Sequence, residues 1–457
     1  MVDSARRRRL QQWVDPSFVY SLLCEDHTDL VWSDRSAAST DRVDVIAVPD
    51  GPADVVLCSA DGAVSTGGVM LPAGEDAFAS LAAVLRGRLD GVDDACAASR
   101  HLGWWGWIGF ELGVEMLGVR PHPDESPAAA FVFASRAIEF DHDLQQVTLV
   151  ALPGQRDWLD RMTHRLESAA EEEPRAPARS GAVLIESRWR HEHEAYLDLI
   201  AACQAKIRAG SAYQLCLTNL LTARFDRPVD PLALYLRLRA HNPVRNGGIV
   251  RIAGWTLVSA SPEEFLSIDA RGHAITRPIK GTRPRSASRA ADAALVAELL
   301  ASDKERAENL MIVDLMRNDL SRVARLGSVE VSRLFEIVSY PSVHQLVSSI
   351  EAELTVDAIE AVRSLFPAGS MTGAPKISAV AILRDLEGGP RGIYSGAWGR
   401  LGVDGSADLA VVIRSIVLHD DEARIGAGGG ITVLSDPASE WREVELKAQP
   451  LLTALLG

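Results

Sequence analysis

Gly248–Ala260, GIVRIAGWTLVSA, is an almost unbroken apolar and β-branched run and reads as strand. Its neighbours decide what kind of strand it is. Upstream, Glu194–Gly210 (EAYLDLIAACQAKIRAG) has helical periodicity, as does Ser302–Leu320 (SDKERAENLMIVDLMRNDL) downstream. Ala407–Leu418 (ADLAVVIRSIVL) is strand-like again. Nearer the N-terminus, the strand candidates RVDVIAV (Arg42–Val48), FVFASRAIEF (Phe131–Phe140) and QQVTLVAL (Gln145–Leu152) surround the helical AFASLAAVLRGRLD (Ala77–Asp90). Strands and helices mix without regular βα alternation and without a fixed internal repeat, so the expected class is α+β rather than a doubly wound parallel sheet. The seam is Ser168–Ala182, SAAEEEPRAPARSGA, which has no hydrophobic period. It suggests an N-terminal domain over 1–170, a linker over 171–183 and a second domain over 184–457.

The 457 residues carry a net charge of −15, with 47% hydrophobic and 24% charged residues. That balance is ordinary for a globular protein and argues against a nucleic-acid binder. An anionic substrate would then need a local cluster of cations or amide donors. Cys24, Cys58, Cys96, Cys203 and Cys216 form no CxxC pair, which points to free thiols in a reducing cytoplasm. The basic start MVDSARRRRL lacks a following apolar region, so it reads as a solvated arm rather than a signal peptide, and no apolar run is long enough to span a membrane.

Several motifs fail on inspection. GSMTGAPK (Gly369–Lys376) lacks the spacing and hydroxyl of a phosphate-binding loop, GAGGG (Gly426–Gly430) lacks the dinucleotide spacing, and HEHE (His191–Glu194) reads as a solvated helix start. Others can carry chemistry. RPIKGTRPR (Arg277–Arg285) sets Lys280 between two prolines and beside a glycine, either as part of a basic surface loop or as a reactive amine. Ser302 caps a helix on which Glu305 and Glu308 follow a turn apart. Asp436–Pro437 starts another helix, whose Glu440, Glu443 and Lys447 share a face just after the glycines Gly426–Gly430. Carboxylates from two helices suit Mg²⁺, although a surface ion-pair network reads the same way. His344, in YPSVHQLVSSI, is either a structural histidine or an acid–base group. Arg414 stands mid-strand in an apolar run and needs an anionic partner, from the protein or from a substrate.

Taken in order, AYQLCLTNL, RPIKGTRPR, ENLMIVDLMRNDL, YPSVHQLVSSI, GSMTGAPK, RGIYSGAWG, VVIRSIV and GAGGGITVLSDPASEWREVELKA resemble the chorismate-utilising enzymes. That family holds anthranilate synthase component I, aminodeoxychorismate synthase component I, and the isochorismate and salicylate synthases. GWWGWIGFELG is similar to its N-terminal glycine-aromatic segment. The resemblance implies a large two-lobed α+β sheet sandwich flanked by helices, with chorismate bound between the lobes. It implies that Glu308 and Glu443 hold Mg²⁺, with Glu305 and Glu440 close by through water. Arg414, Tyr394, Lys447, Thr282 and the amides of Gly428, Gly429 and Gly430 would bind substrate, and His344 would assist proton transfer.

Within the family, PIKGT resembles the aminodeoxychorismate synthase branch, where the lysine attacks C2 of chorismate and ammonia then adds at C4. Lys280 would have to be neutral, its pKa lowered by desolvation or by cations such as Mg²⁺ and Arg283. Gln214 stands where water-using members carry a lysine, which again implies ammonia. No cysteine lies in a G-x-C-x-G context, so a glutamine amidotransferase partner is expected to supply that ammonia. The alternative within the family is anthranilate synthase component I; outside it, a non-catalytic chorismate binder. Asp29–Ala37 (DLVWSDRSA) departs from the Leu-Leu-Glu-Ser signature of tryptophan-regulated members, and Pro450 is expected to shorten the last helix.

Overall fold

Residues 6–36, 41–59, 61–71, 76–92, 99–169, 181–340 and 343–457 are described by the computed structural model. Their strands collect into two twelve-stranded sheets. In the first, Arg6–Arg9, Gln146–Ala151, Arg136–Asp141, Val43–Val48 and Leu30–Asp34 lead to Asn246–Ile252, Trp255–Ser261, Ser415–His419, Glu422–Ile431, Gln214–Phe225 and Leu184–Trp189. The second runs from Ile279–Pro284 and Val343–Glu353 through His273–Arg277, Glu264–Ile268, Ala407–Val411 and Ala397–Gly402 to Gly103–Ile108, Ala129–Ala134 and Val55–Cys58. Neighbouring strands pair antiparallel, as in Asn246–Ile252 with Trp255–Ser261. The α+β sandwich expected from the sequence is therefore present. Each sheet takes strands from both sides of the Ser168–Ala182 seam. Of that seam, residues 170–180 lie outside the described residues.

The central strands are apolar on both faces because both faces are covered. Val250, Leu257 and Val417 of one sheet meet Trp105, Phe131 and Leu409 of the other in a shared core. The outer face of the first sheet packs under the helices His193–Arg208, Pro231–His241 and Pro437–Leu456, through residues such as Tyr196, Leu234 and Val444. Two apolar runs that read as single strands are each cut by a crossing between the sheets. Phe131–Phe140 breaks at Ser135, and Ala407–Leu418 breaks after Val411. Arg414 is thus not mid-strand. It sits on the crossing at φ +51, left-handed backbone that a non-glycine residue occupies only when its surroundings hold it there.

Two further expectations change. Arg6–Arg9 is not a solvated arm but an edge strand paired with Gln146–Ala151, where Arg7 meets Glu139 and Arg8 lies 2.6 Å from Asp160. The consecutive Arg7 and Arg8 each find a carboxylate, which the arginine run alone did not reveal. The last helix is not shortened by Pro450 but continues to Leu456 around it. The proline removes the N–H that would bond Leu446, yet Leu451, Ala454 and Leu455 beyond it are buried and keep the helix docked.

Candidate active site

Lys280 occupies the strand Ile279–Pro284, where pairing with Val343–Glu353 slips between Ile279 and Thr282. Gly281 has φ +88, and a Cβ there would stand 2.8 Å from Leu299 Cδ1 and 3.0 Å from Glu305 Oε2. Glycine therefore lets the irregular strand press onto the helices Arg289–Ala301 and Asp303–Ser321. Ser302 caps the second of these through the Glu305 amide, as expected. The carboxylate of Glu305 turns instead to Arg283, 3.5 Å away.

Acidic side chains from two helices, Asp303–Ser321 and Pro437–Leu456, face the same region without forming a closed group of three among the described residues. Glu308 is buried, and Lys304 Nζ lies 3.9 Å from its Oε1 and 3.8 Å from Glu440 Oε1. Glu440 and Glu443 come from Pro437–Leu456, whose first turn is fixed by Asp436 accepting from Ser439 N at 2.8 Å. Both carboxylates reach the bare Cα of Gly429, where a Cβ would lie 3.0 Å from Glu440 Oε2 and 3.6 Å from Glu443 Oε1. Lys447 Nζ lies 2.7 Å from Glu443 and donates to Gly428 O at 2.5 Å. The side-chain amide of Gln214 lies against Gly430, and its Oε1 is buried without a hydrogen-bond partner.

The charges set the protonation states. Burial would lower the pKa of Lys280, but Cys216, Glu308, Glu263 and Glu443 outweigh it, so the net direction is upward. This is opposite to the expected lowering. Arg283, the expected neighbouring cation, is taken up by Glu298 at 3.0 Å and by Glu305. Burial raises the carboxyls of Glu308 and Glu440, whereas Lys447 and Lys280 bring Glu443 below the usual range despite its burial. Glu263, absent from the residues singled out in the sequence, is buried beside the same lysines, and burial raises its pKa. Its signal was the acidic pair Glu263–Glu264 after an apolar strand; Glu264 turns the other way, to Arg245 and Arg277. Lys304 was also missed, although its i,i+4 spacing to Glu308 was legible.

Arg414 has no ion pair among the described residues, and burial lowers its pKa against the fields of Tyr394 and Glu443. It lines a cavity of about 100 Å³ together with Thr282, which is exposed, and Gln345, which is buried with an unpartnered Oε1. Tyr394 is buried against Gly426, where any Cβ would fall 2.1 Å from its ring. His344 is the exception. Its Nδ1 is 2.7 Å from Ser339 Oγ and its Nε2 is 3.0 Å from Asp292 Oδ1, so neither ring nitrogen is free for a substrate in this arrangement.

Fold and site together define a two-sheet α+β core that gathers a lysine, several carboxylates and a guanidinium with no ion pair among the described residues. The chain belongs to the chorismate binding enzyme family, whose pattern matches residues 72–453. It is 44% identical to an aminodeoxychorismate synthase of Streptomyces griseus across 78% of this chain and 50% of that protein. To anthranilate synthase component 1 of Streptomyces coelicolor it is 37% identical, across 78% of this chain and 73% of the relative. The chain spans about half the length of the Streptomyces aminodeoxychorismate synthases it matches. Anthranilate synthase component I from Streptococcus pneumoniae superposes with a TM-score of 0.78 at 25% identity, covering 91% of this chain and 93% of that one. The menaquinone-specific isochorismate synthase MenF of Escherichia coli shares the fold, with a TM-score of 0.73 at 17% identity and coverage of 99% and 94%. No helix among the described residues is long and apolar enough to cross a membrane.

Proposed function

We propose that this chain works as aminodeoxychorismate synthase component I. It would convert chorismate and ammonia to 4-amino-4-deoxychorismate, on the way to 4-aminobenzoate and folate, with the ammonia supplied by a glutamine amidotransferase. The observation that carries this reading is the placement of Lys280 in the field of Glu263, Glu308 and Glu443. An amine there has carboxylates at hand both to take its proton and to return one to a leaving group.

Lys280 gives up a proton to the carboxylate of Glu263, which burial makes a stronger base than an exposed one. The amine attacks C2 of chorismate; the ring double bonds shift and the C4–O bond breaks. The hydroxyl takes the proton from Glu263 and leaves as water. Ammonia then attacks C4, the double bonds shift back, and the C2–N bond to Lys280 breaks. Arg414, with no ion pair among the described residues, receives the enolpyruvyl carboxylate, and Tyr394 bounds that side. Gln214 is a neutral amide and cannot act as a base toward water, which favours ammonia as the nucleophile.

The acidic cluster fits Mg²⁺. Its donors are all oxygen, and Glu308 Oε1 is buried without a hydrogen-bond partner. Among the described residues no three His, Cys, Asp or Glu side chains are gathered closely enough to hold a metal by themselves, so most of the ion's shell would have to come from water and substrate. Glu308 and Glu443 would hold it, with Glu305 and Glu440 reached through water. Bound there, it would engage the ring carboxylate and polarise the C4 hydroxyl.

The test is to incubate the purified chain with chorismate, Mg²⁺ and ammonium at mildly alkaline pH and identify the product by mass. Aminodeoxychorismate is expected, and its formation should be abolished in Lys280→Ala. Anthranilate as the product would overturn the assignment.

A further inference from the structure

Glu111 belongs to the segment GWWGWIGFELG, far in sequence from the residues assigned to the site. It stands in the first turn of the short helix Phe110–Met116 and is buried. Its two carboxyl oxygens each take one backbone N–H from consecutive residues: Arg391 N at 2.7 Å on Oε1 and Gly392 N at 2.8 Å on Oε2. The neighbouring amide completes the grip, with Phe110 N donating to Gly392 O at 2.8 Å. Gly392 is left-handed at φ +66 and is packed against Asp124, so this turn has little room to adopt another shape.

What the turn holds is the site. Its Arg391 guanidinium lies over the Phe110 ring at 4.2 Å, chelates Glu387 at 2.7 and 2.8 Å, and donates to Met371 O and Cys216 O. Three residues on, Tyr394 is pressed against Gly426, immediately before Ser395 at φ +65. One face of the tyrosine is therefore set by the glycine strand and its backbone by the clamped turn. A cavity of about 740 Å³ opens beside the same ring, lined by Arg391, Gly392 and Tyr394, so a loosened turn has space to move into.

We propose that Glu111 is a positioning residue for the chorismate site, clamping the Arg391–Gly392 turn so that Tyr394 is presented to substrate. This rests on the assignment of Tyr394 to substrate binding made above. It also explains why the first half of the chain shares the sheets of the second: part of the site's rigidity comes from it.

A double-mutant cycle tests this by steady-state kinetics and chorismate binding on the full chain, using Glu111→Ala, Glu111→Gln, Tyr394→Phe and Glu111→Ala/Tyr394→Phe. Glu111→Ala should raise KM for chorismate about tenfold with little change in kcat, the cost of losing a buried pair of hydrogen bonds. Glu111→Gln keeps one of the two acceptors and sets an NH2 against the other N–H, so it should restore only part of the affinity. The double variant should be no weaker than the weaker single variant. If the two fold-effects multiply, or if Glu111→Ala lowers only thermal stability, Glu111 does not act through Tyr394 and the proposal fails. If Tyr394→Phe alone leaves KM and chorismate affinity unchanged, the assignment of Tyr394 fails, and with it the clamp's purpose.

Discussion

Lys280 and Glu263 draw opposite consequences from one pocket. Burial disfavours charge on both, but the lysine is surrounded by acids and stays cationic, while burial outweighs the lysines at the glutamic acid and pushes it toward the neutral form. Only Lys280 was legible in the sequence, because its PIKGT setting is local. Glu263 depends on which way two adjacent glutamates turn, and that is decided by Arg245, just before the strand Asn246–Ile252, and Arg277, on the strand His273–Arg277. Glu111 makes the same point with a testable sign. Burial, aided by Asp124, raises its pKa from 4.5 to about 8, against the amides of Arg391 and Gly392 that pull it down. Between those values the folded chain holds a proton that the unfolded chain has released. The stability this group contributes is therefore fully present below pH 4.5 and is lost as pH rises toward 8. Relative to wild type, Glu111→Gln should gain stability across that window, by at most about 1.4 kcal/mol per pH unit, in denaturant midpoints measured at several pH values. A difference that does not change with pH would contradict the raised pKa.

Among the elements, those fixed by local chemistry were readable and those fixed by tertiary pairing were not. Ser302 and Asp436 cap their helices as their side chains predict, and Ala77–Asp90 is a helix over the range its periodicity marks. The crossings at Ser135 and Arg414 carry no local signal, because the residues on either side are equally apolar and only the choice of sheet differs. Pro450 is the opposite case, a strong local signal overridden by packing. Replacing it by alanine restores the N–H facing Leu446 O while leaving Leu451 and Leu455 docked. Pro450→Ala should raise unfolding stability by about 1–3 kcal/mol. An unchanged or lower unfolding midpoint would mean that the ring itself is needed where it lines the Arg414 cavity.

Over the whole molecule, a chain of net charge −15 sets Lys280, Lys447, which Glu443 engages, and Arg414, with no ion pair among the described residues, around the proposed site, where they would serve an anionic substrate. The acidic surplus beside them is concentrated on two helices, where it suits a divalent ion rather than opposing the substrate. The family and the sandwich were legible from ordered motifs. The mutual dependence of the two halves was not, since it arises from strand order across both sheets. The claim on which the rest depends is that Lys280 bonds to the substrate. It is tested most directly by mixing the chain with chorismate and Mg²⁺ without ammonia, quenching with acid, and measuring intact mass and peptide map. The Lys280 peptide is predicted to gain the mass of chorismate less one water, to lose it when ammonium is added, and to stay unmodified in Lys280→Ala. A chain in which Lys280→Ala still forms aminodeoxychorismate at the wild-type rate, with no adduct in either protein, would contradict it.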